Sequence, residues 1–450
     1  MKKKKVIALL LAMAMVVSLA ACGNSTTSAP AEAPAAEAPA EEAPTEEPAA
    51  EAPAEEVASG EPIDLTMWCI ATESDSNRHS YEASIADFQA AHPEINFTWE
   101  AIENQAYKTK IKAAVSANEM PDIFFTWSCA FLGDFVDAGR VYCVDDVYAK
   151  YASELPEVMM GNVKYDGKYY GVPMTMNIVG MFANMEILQE AGYDAVPATY
   201  DELIACCDAL VAKGVIPFGC AGKETWCVTE YLESIIEKTA GATALNQIFA
   251  GDATWGNEDV AKGVGIFQEM IEKQYFDPEG IALSNDEIKA NFMAGKYAFY
   301  MNGTWNCADF DKAGLSEKVQ VAEFPVIDSS KSQLGELIGG PSDTLAVAAD
   351  SPNAAVAAES AFEIAKGICH YGYLDGCGLP AWTPDYDTSS INPLTQSVAE
   401  IVANSSQMVL FGDTAMSADS ANIYLDYVGQ IYASAIDGQA FVDGLVRDIQ

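Results

Sequence analysis

The chain runs to 450 residues, long enough for two globular domains or one large one, and half of it is hydrophobic, so a sizeable core can form. Sixty-six Asp and Glu stand against 24 Lys and Arg, a formal charge of −42. A surface of that sign repels phosphate backbones and anionic headgroups, which argues against nucleic acid as a partner and against direct adsorption to a membrane.

Membrane attachment has another device. Lys2 to Lys5 form a basic segment, and Val6 to Leu19 an apolar run too short to span comfortably but suited to a secretory signal. Leu19-Ala-Ala-Cys22 follows and resembles the bacterial lipobox, in which the cysteine is lipidated. Residues 1–21 are thus expected to be a signal peptide. Cys22 would anchor the chain at the outer face of the cytoplasmic membrane. Asn24 to Glu61 consists almost wholly of Ala, Pro, Glu, Ser and Thr. Proline blocks helix propagation and the carboxylates repel, so 22–61 reads as a lipidated residue plus a disordered tether.

Ten cysteines remain besides Cys22, with no CxxC and no tight framework of spacings. Cys206 and Cys207 adjoin on a predicted helix, where they cannot easily pair. Most of the thiols are expected to pack as small apolar side chains. With His79, His92 and His370 the only histidines, neither a metal site nor a cofactor is expected.

In chain order, Ile63, Leu65, Met67 and Cys69 alternate as a strand. Tyr81, Ile85 and Phe88 recur at helical spacing, and that helix must stop at His92-Pro93. Ile95, Phe97 and Trp99 alternate again; Tyr107, Ile111, Ala114 and Val115 mark a second helix; Asp122 to Phe125 is a buried strand. The β-α-β-α-β order implies a parallel, doubly wound sheet. Ligands of such sheets sit beyond the strands' carboxyl ends, here Cys69–Ser76 and Thr126–Ser128. Asp166-Gly167, within Tyr165 to Pro173, predicts a hairpin, and Gly171 and Pro173 then interrupt the strand pattern. The stretch reads as the crossing between two lobes, with the site in the groove beside it.

Beyond the crossing, Ile178 to Phe182 predicts another strand. Thr199-x-x-Glu202 and Ser284-x-x-Glu287 are capping boxes, and the helices they open should end at Gly214 and Gly295. Val260, Val264, Phe267 and Ile271 share a helical face. Tyr297, Phe299 and Met301 alternate, Thr344 to Ala348 is strand-like, a helix is expected from about Asn353 to Lys366, and the chain from Pro393 reads mostly helical.

Several pieces together resemble the extracellular solute-binding proteins of bacterial ABC importers, in the sugar-binding group that includes maltose-binding protein. They are Met120-Pro-Asp-Ile-Phe124, Tyr170-Gly-Val-Pro173, Glu186 to Gly192, Pro197 to Leu203, Phe292 to Ala298, Asn302-Gly-Thr-Trp305, Gly339-Gly-Pro341 and Ser351 to Ala355. The resemblance implies an α/β, two-lobed periplasmic-binding-protein-like fold of the class II type, each lobe a doubly wound, mostly parallel sheet flanked by helices. One lobe would take 62–173 and 343–378, the other 174–342 and 379–450.

A sugar ring presents a weakly polar C–H face and an edge of hydroxyls, so its site calls for aromatic platforms with carboxylates and amides around the rim. Trp127 ends a buried strand, and the family often has a contact near this position. Trp305 matches the tryptophan of the family's Gly-x-Trp motif. Trp226 lies before a helix, and Trp382 just past the return crossing at Leu379-Pro380. Glu73 and Asp75 occupy the first βα loop, whereas Asn177 and Asp343 sit where the family lines its cleft. Asp413, in Phe411-Gly-Asp-Thr, is a weaker candidate, for which a surface loop is the better reading. Trp68, Trp99 and Trp255 are expected in core or rim. Gly171, Pro173, Gly339 and Gly340 are hinge candidates.

The function implied is capture of a mono- or oligosaccharide by a monomeric surface receptor, which hands it to membrane ABC permease subunits without turnover. The alternatives are a lipid-anchored glycoside hydrolase and a ligand sensor for a membrane kinase. With so many acids a catalytic carboxylate pair can always be proposed, so their presence discriminates nothing. Nucleophile-elbow, HExxH, P-loop and dinucleotide motifs do not occur in the sequence.

Overall fold

The computed structural model describes residues 62–449. The predicted signal peptide, Cys22 and the tether lie outside them. Strand β1 (Ile63–Cys69), helix α1 (Arg78–Ala91), β2 (Ile95–Ala101), α2 (Asn104–Ala117) and β3 (Ile123–Trp127) follow the expected order. β1 pairs in parallel with both β2 and β3. The helical periodicities select the buried faces, Tyr81, Ile85 and Phe88 on α1 and Tyr107, Ile111, Ala114 and Val115 on α2. β3 is buried throughout and runs beyond the apolar stretch, which makes Trp127 its last residue.

The Asp166-Gly167 turn joins β4 (Lys164–Tyr165) to β5 (Lys168–Tyr169) in an antiparallel hairpin. Both turn residues have positive φ, 48° and 80°, as a primed turn requires. The hairpin belongs to the first sheet's core, into which Tyr169 packs. The crossing itself comes after β6 (Val172–Pro173), at Met174, where the chain enters β7 (Thr175–Asn184). All ten residues of β7 are buried. Val179, Met181 and Ala183 join one core cluster and Met176, Ile178 and Phe182 another, so the period of two serves two apolar faces rather than one.

β7 is the centre of a second sheet. Around it stand β8 (Ile216–Gly219), β9 (Tyr297–Gly303), β11 (Glu336–Gly340) and β14 (Gln407–Val409) in the order β14-β11-β7-β9-β8, with β10 (Val319–Ala322) and β13 (Leu379–Pro380) also bonded to β7. The first sheet has the order β2-β1-β3-β12-β6, where β12 is Asp343–Val347. Each sheet departs from the parallel pattern at one strand: β12 runs antiparallel to β3 and β6, and β7 antiparallel to β9 and β11. Parallel neighbours need a long crossover connection, whereas β7 and β12 arrive directly from the other sheet and are free of that constraint.

Both capping boxes form, opening α3 (Tyr200–Ala212) and, further on, α6 (Asn285–Met293). Between them lie α4 (Trp226–Ala240) and α5 (Glu258–Glu272). Helix α7 (Ala354–Asp375) continues past Lys366. A Cβ at Gly367 would come within 2.2 Å of Ser84 Oγ on α1. Glycine costs a helix about 1 kcal/mol, and here it lets two helices approach closely enough to offset that loss. α8 (Pro393–Ala403) and the short α9 (Gly412–Ala415) flank β14.

The links between the sheets lie side by side. Gly339 and Gly340 pair with Ile178 and Asn177, and Leu379 and Pro380 with Met176 and Thr175. Gly339 has φ 135°, and a Cβ there would fall 2.3 Å from Asn177 O, so close approach excludes any other residue. A Cβ at Gly171 would be similarly crowded, 2.5 Å from Thr344 Cγ2. All ten cysteines of the described residues are free thiols, and Cys206 and Cys207 pack in the second core.

Candidate ligand-binding cleft

A cleft of about 710 Å³ opens between the two sheets. From the first come the loop after β1 (Ile70 to Asn77), the start of α2, Trp127, and Ser342 with Asp343. From the second come the starts of α4 and α6, Trp305, and Phe411 to Thr414. The strand-end loops named from sequence, after β1 and β3, are among these walls. The crossing is only at the back: a recess of about 10 Å³ behind Asp75 and Asp343 reaches Met174 and Thr175.

Trp226, Trp305 and Phe411 make an aromatic wall. The Trp226 and Trp305 ring centres are 6.1 Å apart at 57°, and Trp305 and Phe411 are 6.3 Å apart at 55°. Gly303 allows this placement, because a Cβ there would lie 2.1 Å from the Trp305 ring, which folds back over the end of β9. Trp127 stands on the opposite side with the Lys108 ammonium 4.7 Å from its ring centre. Lys108 also reaches across the cleft to Asp413 at 3.0 Å. Further bonds join the sides, among them Ser76 Oγ to Asp309 Oδ2 at 2.9 Å and Ala418 N to Asp134 Oδ2 at 3.2 Å.

The first turns of α4 carry the polar chemistry. Trp226, Thr229 and Glu230 share the cleft-facing side of that helix. Glu230 is 1 % exposed, and neither carboxylate oxygen has a hydrogen-bond partner. The nearby Gly303 amide donates to Asn302 Oδ1 at 2.9 Å. Burial, then the nearby carboxylates of Glu233 and Asp413, push Glu230 well above the usual carboxylate range. One turn back, the indole Nε1 of Trp226 is buried and unpartnered too. Across the cleft, burial raises Asp75 to about 6 against the opposing Asn77 amide, and burial with the Asp75 charge raises Asp343 to about 7. An open donor and several open acceptors beside an aromatic wall suit a ligand with an apolar face and hydroxyl edges.

The family model for bacterial extracellular solute-binding proteins matches residues 74–364. The chain belongs to this family. Its members are non-catalytic binding proteins of transporters. The sequence is 21 % identical over 272 residues to an uncharacterized ABC transporter extracellular-binding protein of Pyrococcus horikoshii, covering 59 % of this chain and 60 % of that one. It is 30 % identical over 174 residues to a multiple sugar-binding protein of Streptococcus mutans, covering 36 % and 38 %. The chain thus spans less than two thirds of either curated relative. A solved structure from work on xylan utilization by the thermophilic bacterium Caldanaerobius polysaccharolyticus superposes with a TM-score of 0.83 at 31 % identity, covering 86 % of this chain and all of that one.

Of the residues named from sequence, Trp127, Trp226, Trp305, Asp75, Asp343 and Asp413 line the cleft. Asp413 is no surface loop: its side chain is 9 % exposed and paired with Lys108. Three lie elsewhere. Trp382 is in the first core, its Nε1 donating to Pro173 O at 2.9 Å. Asn177 is buried at the crossings, donating to Cys377 O at 3.3 Å and accepting from Thr304 Oγ1 at 3.0 Å. Glu73 points to solvent with an 88 % exposed side chain, paired with Arg78. Sequence reasoning missed Glu230, Thr229 and Lys108. The acids Glu230, Glu233 and Glu237 follow helical spacing and look like one solvated face, yet fourteen of the fifteen α4 residues are buried.

Proposed function

We propose that this solute-binding protein is the carbohydrate receptor of an ABC importer, held to the membrane by lipid on Cys22 and capturing a mono- or oligosaccharide between two closing lobes. The observation that carries the reading is the pairing, one helical turn apart, of an unpartnered indole N–H and an unpartnered carboxylate beneath the Trp226–Trp305–Phe411 wall. A sugar hydroxyl both donates and accepts, so it can satisfy the two groups while its ring lies on the wall. A cleft of about 710 Å³ is within the roughly 300–1,000 Å³ range of sites that bury small organic ligands.

The lobes would be 62–173 with 343–378 and 174–342 with 379–450, Ala381 and Trp382 reaching back into the first. Lys108–Asp413, Ser76–Asp309 and Ala418–Asp134 join opposite sides and would be lost on opening. Ligand contacts from both sides then add to the closed state's advantage, and the permease reads that state. The sugar-binding relative and the structure from work on xylan utilization support the carbohydrate reading, and xylo-oligosaccharides are the first sugars to try. The test is calorimetric titration with a panel of neutral sugars, followed by chromatography of the recovered sugar. One-to-one binding at micromolar affinity or tighter, with the sugar intact, is expected. A panel without binders, or a cleaved sugar, would overturn the proposal.

A further inference from the structure

Glu230, Glu233 and Asp413 lie within reach of one another's charge. Among the described residues the lysine bonded to this group is Lys108, and it pairs with Asp413 at 3.0 Å. Glu233 has two donors instead, the Gly412 amide and the Tyr424 hydroxyl. Glu230 has none, although it is as deeply buried. The donors around it are committed elsewhere: the Gly303 amide to Asn302 Oδ1 at 2.9 Å and the Thr229 hydroxyl to Trp226 O at 2.7 Å. Lys223, exposed ahead of α4, is not among the charges that act on it. The other titratable groups that interact with Glu230 are Cys220, Cys227, Tyr231 and Tyr300, buried thiols and phenols that burial keeps neutral. A carboxylate deprived at once of water, cation and donors costs far more than a carboxylic acid in the same place. Burial first, then the charges of Glu233 and Asp413, hold the proton on Glu230, outweighing the Gly303 amide.

Building on the carbohydrate reading above, we infer that Glu230 is a specificity-determining residue that meets the sugar as an un-ionised carboxylic acid, donating one hydrogen bond and accepting another. A carboxylate would ask the ligand for donors alone; the neutral acid asks for a donor beside an acceptor, as an amide does. With the unpartnered Trp226 N–H one turn back, the site offers two donors and one acceptor. Two adjacent ring hydroxyls answer that set, one accepting from the indole while it donates to the Glu230 carbonyl, the other accepting the Glu230 O–H. Leaving any of the three unmatched in a buried site weakens binding, and so the set selects its ligand.

The probe is the tightest-binding neutral sugar of the panel above, beginning with xylo-oligosaccharides. At pH 7 Glu230→Gln, which keeps a donor beside an acceptor, should bind it within about threefold of the unaltered protein by calorimetry. Glu230→Met, of similar size with neither, should bind roughly tenfold more weakly or worse. A comparable loss in Glu230→Gln is what a charge-assisted carboxylate contact predicts. That result would overturn the inference and leave the carbohydrate reading intact. So would Glu230→Met binding as tightly as the unaltered protein. A second measurement needs no variant and decides alone should either fail to fold. With glutamate isotopically labelled, the infrared difference between sugar-bound and free protein should show a carboxylic-acid carbonyl band that shifts on binding. A difference confined to carboxylate bands would overturn the inference. A panel in which no sugar binds removes the carbohydrate reading and this inference together.

Discussion

Glu233 offers a sharp test of how this fold tolerates buried acid. It is wholly inaccessible on α4, accepting the Gly412 amide at 3.2 Å and the Tyr424 hydroxyl at 3.1 Å. Burial, then the Asp413 carboxylate, raises it to about 8 from 4.5, although those two donors pull the other way. The folded protein therefore keeps a proton that the unfolded chain releases. Between the two values the unfolded state binds fewer protons, so this group's contribution to stability is complete below about 4.5 and lost as pH rises through about 8. At full ionisation the loss is on the order of 5 kcal/mol. Glu233→Gln keeps an acceptor for both donors and removes the titration. Urea unfolding at steps from pH 5 to 9 should show the unaltered protein weakening with pH, and the variant gaining on it steadily up to that magnitude. Two curves that stay parallel over the whole range would refute the reasoning.

Other outcomes separate the cleft from its supports. Trp305→Ala should weaken sugar binding by about 2 kcal/mol, roughly 30-fold by titration, while leaving the unfolding midpoint nearly unchanged. Trp382→Ala should do the reverse, costing about 3–5 kcal/mol of stability by urea unfolding, because its ring fills the first core. Asn177→Ala removes the ties to Thr304 and Cys377 at the crossings and should cost about 1–3 kcal/mol in the same assay, with ligand affinity of the folded fraction little altered. Cys22→Ala should move the protein from the membrane fraction to the medium, as read by fractionation.

The fold was largely legible because its punctuation is local. Pro93 stops α1, Asp166-Gly167 turns the hairpin, and Thr199 and Ser284 open their helices through contacts a few residues long. Long-range features were less visible. The burial of β7 on both faces hides its alternation, and α7 passes through Gly367 because Ser84, far away in sequence, packs against it. The site was readable where strand ends fix it, at Asp75 and Trp127, and through the Gly-x-Trp motif at Trp305. Glu230 was not, because an acid at helical spacing looks solvated until another layer is known to cover it. Trp382 and Asn177 were misplaced for the converse reason: nearness to a crossing in sequence does not say which side of it a side chain takes.

The most direct measurement is a crystal structure of the protein with a sugar that binds in titration. The account predicts an intact ring against Trp226 and Trp305, a hydroxyl within hydrogen-bond distance of the Glu230 carboxylate, and the Lys108–Asp413 pair closed across it. A sugar bound away from this wall, or one that leaves Glu230 unpartnered, would contradict it.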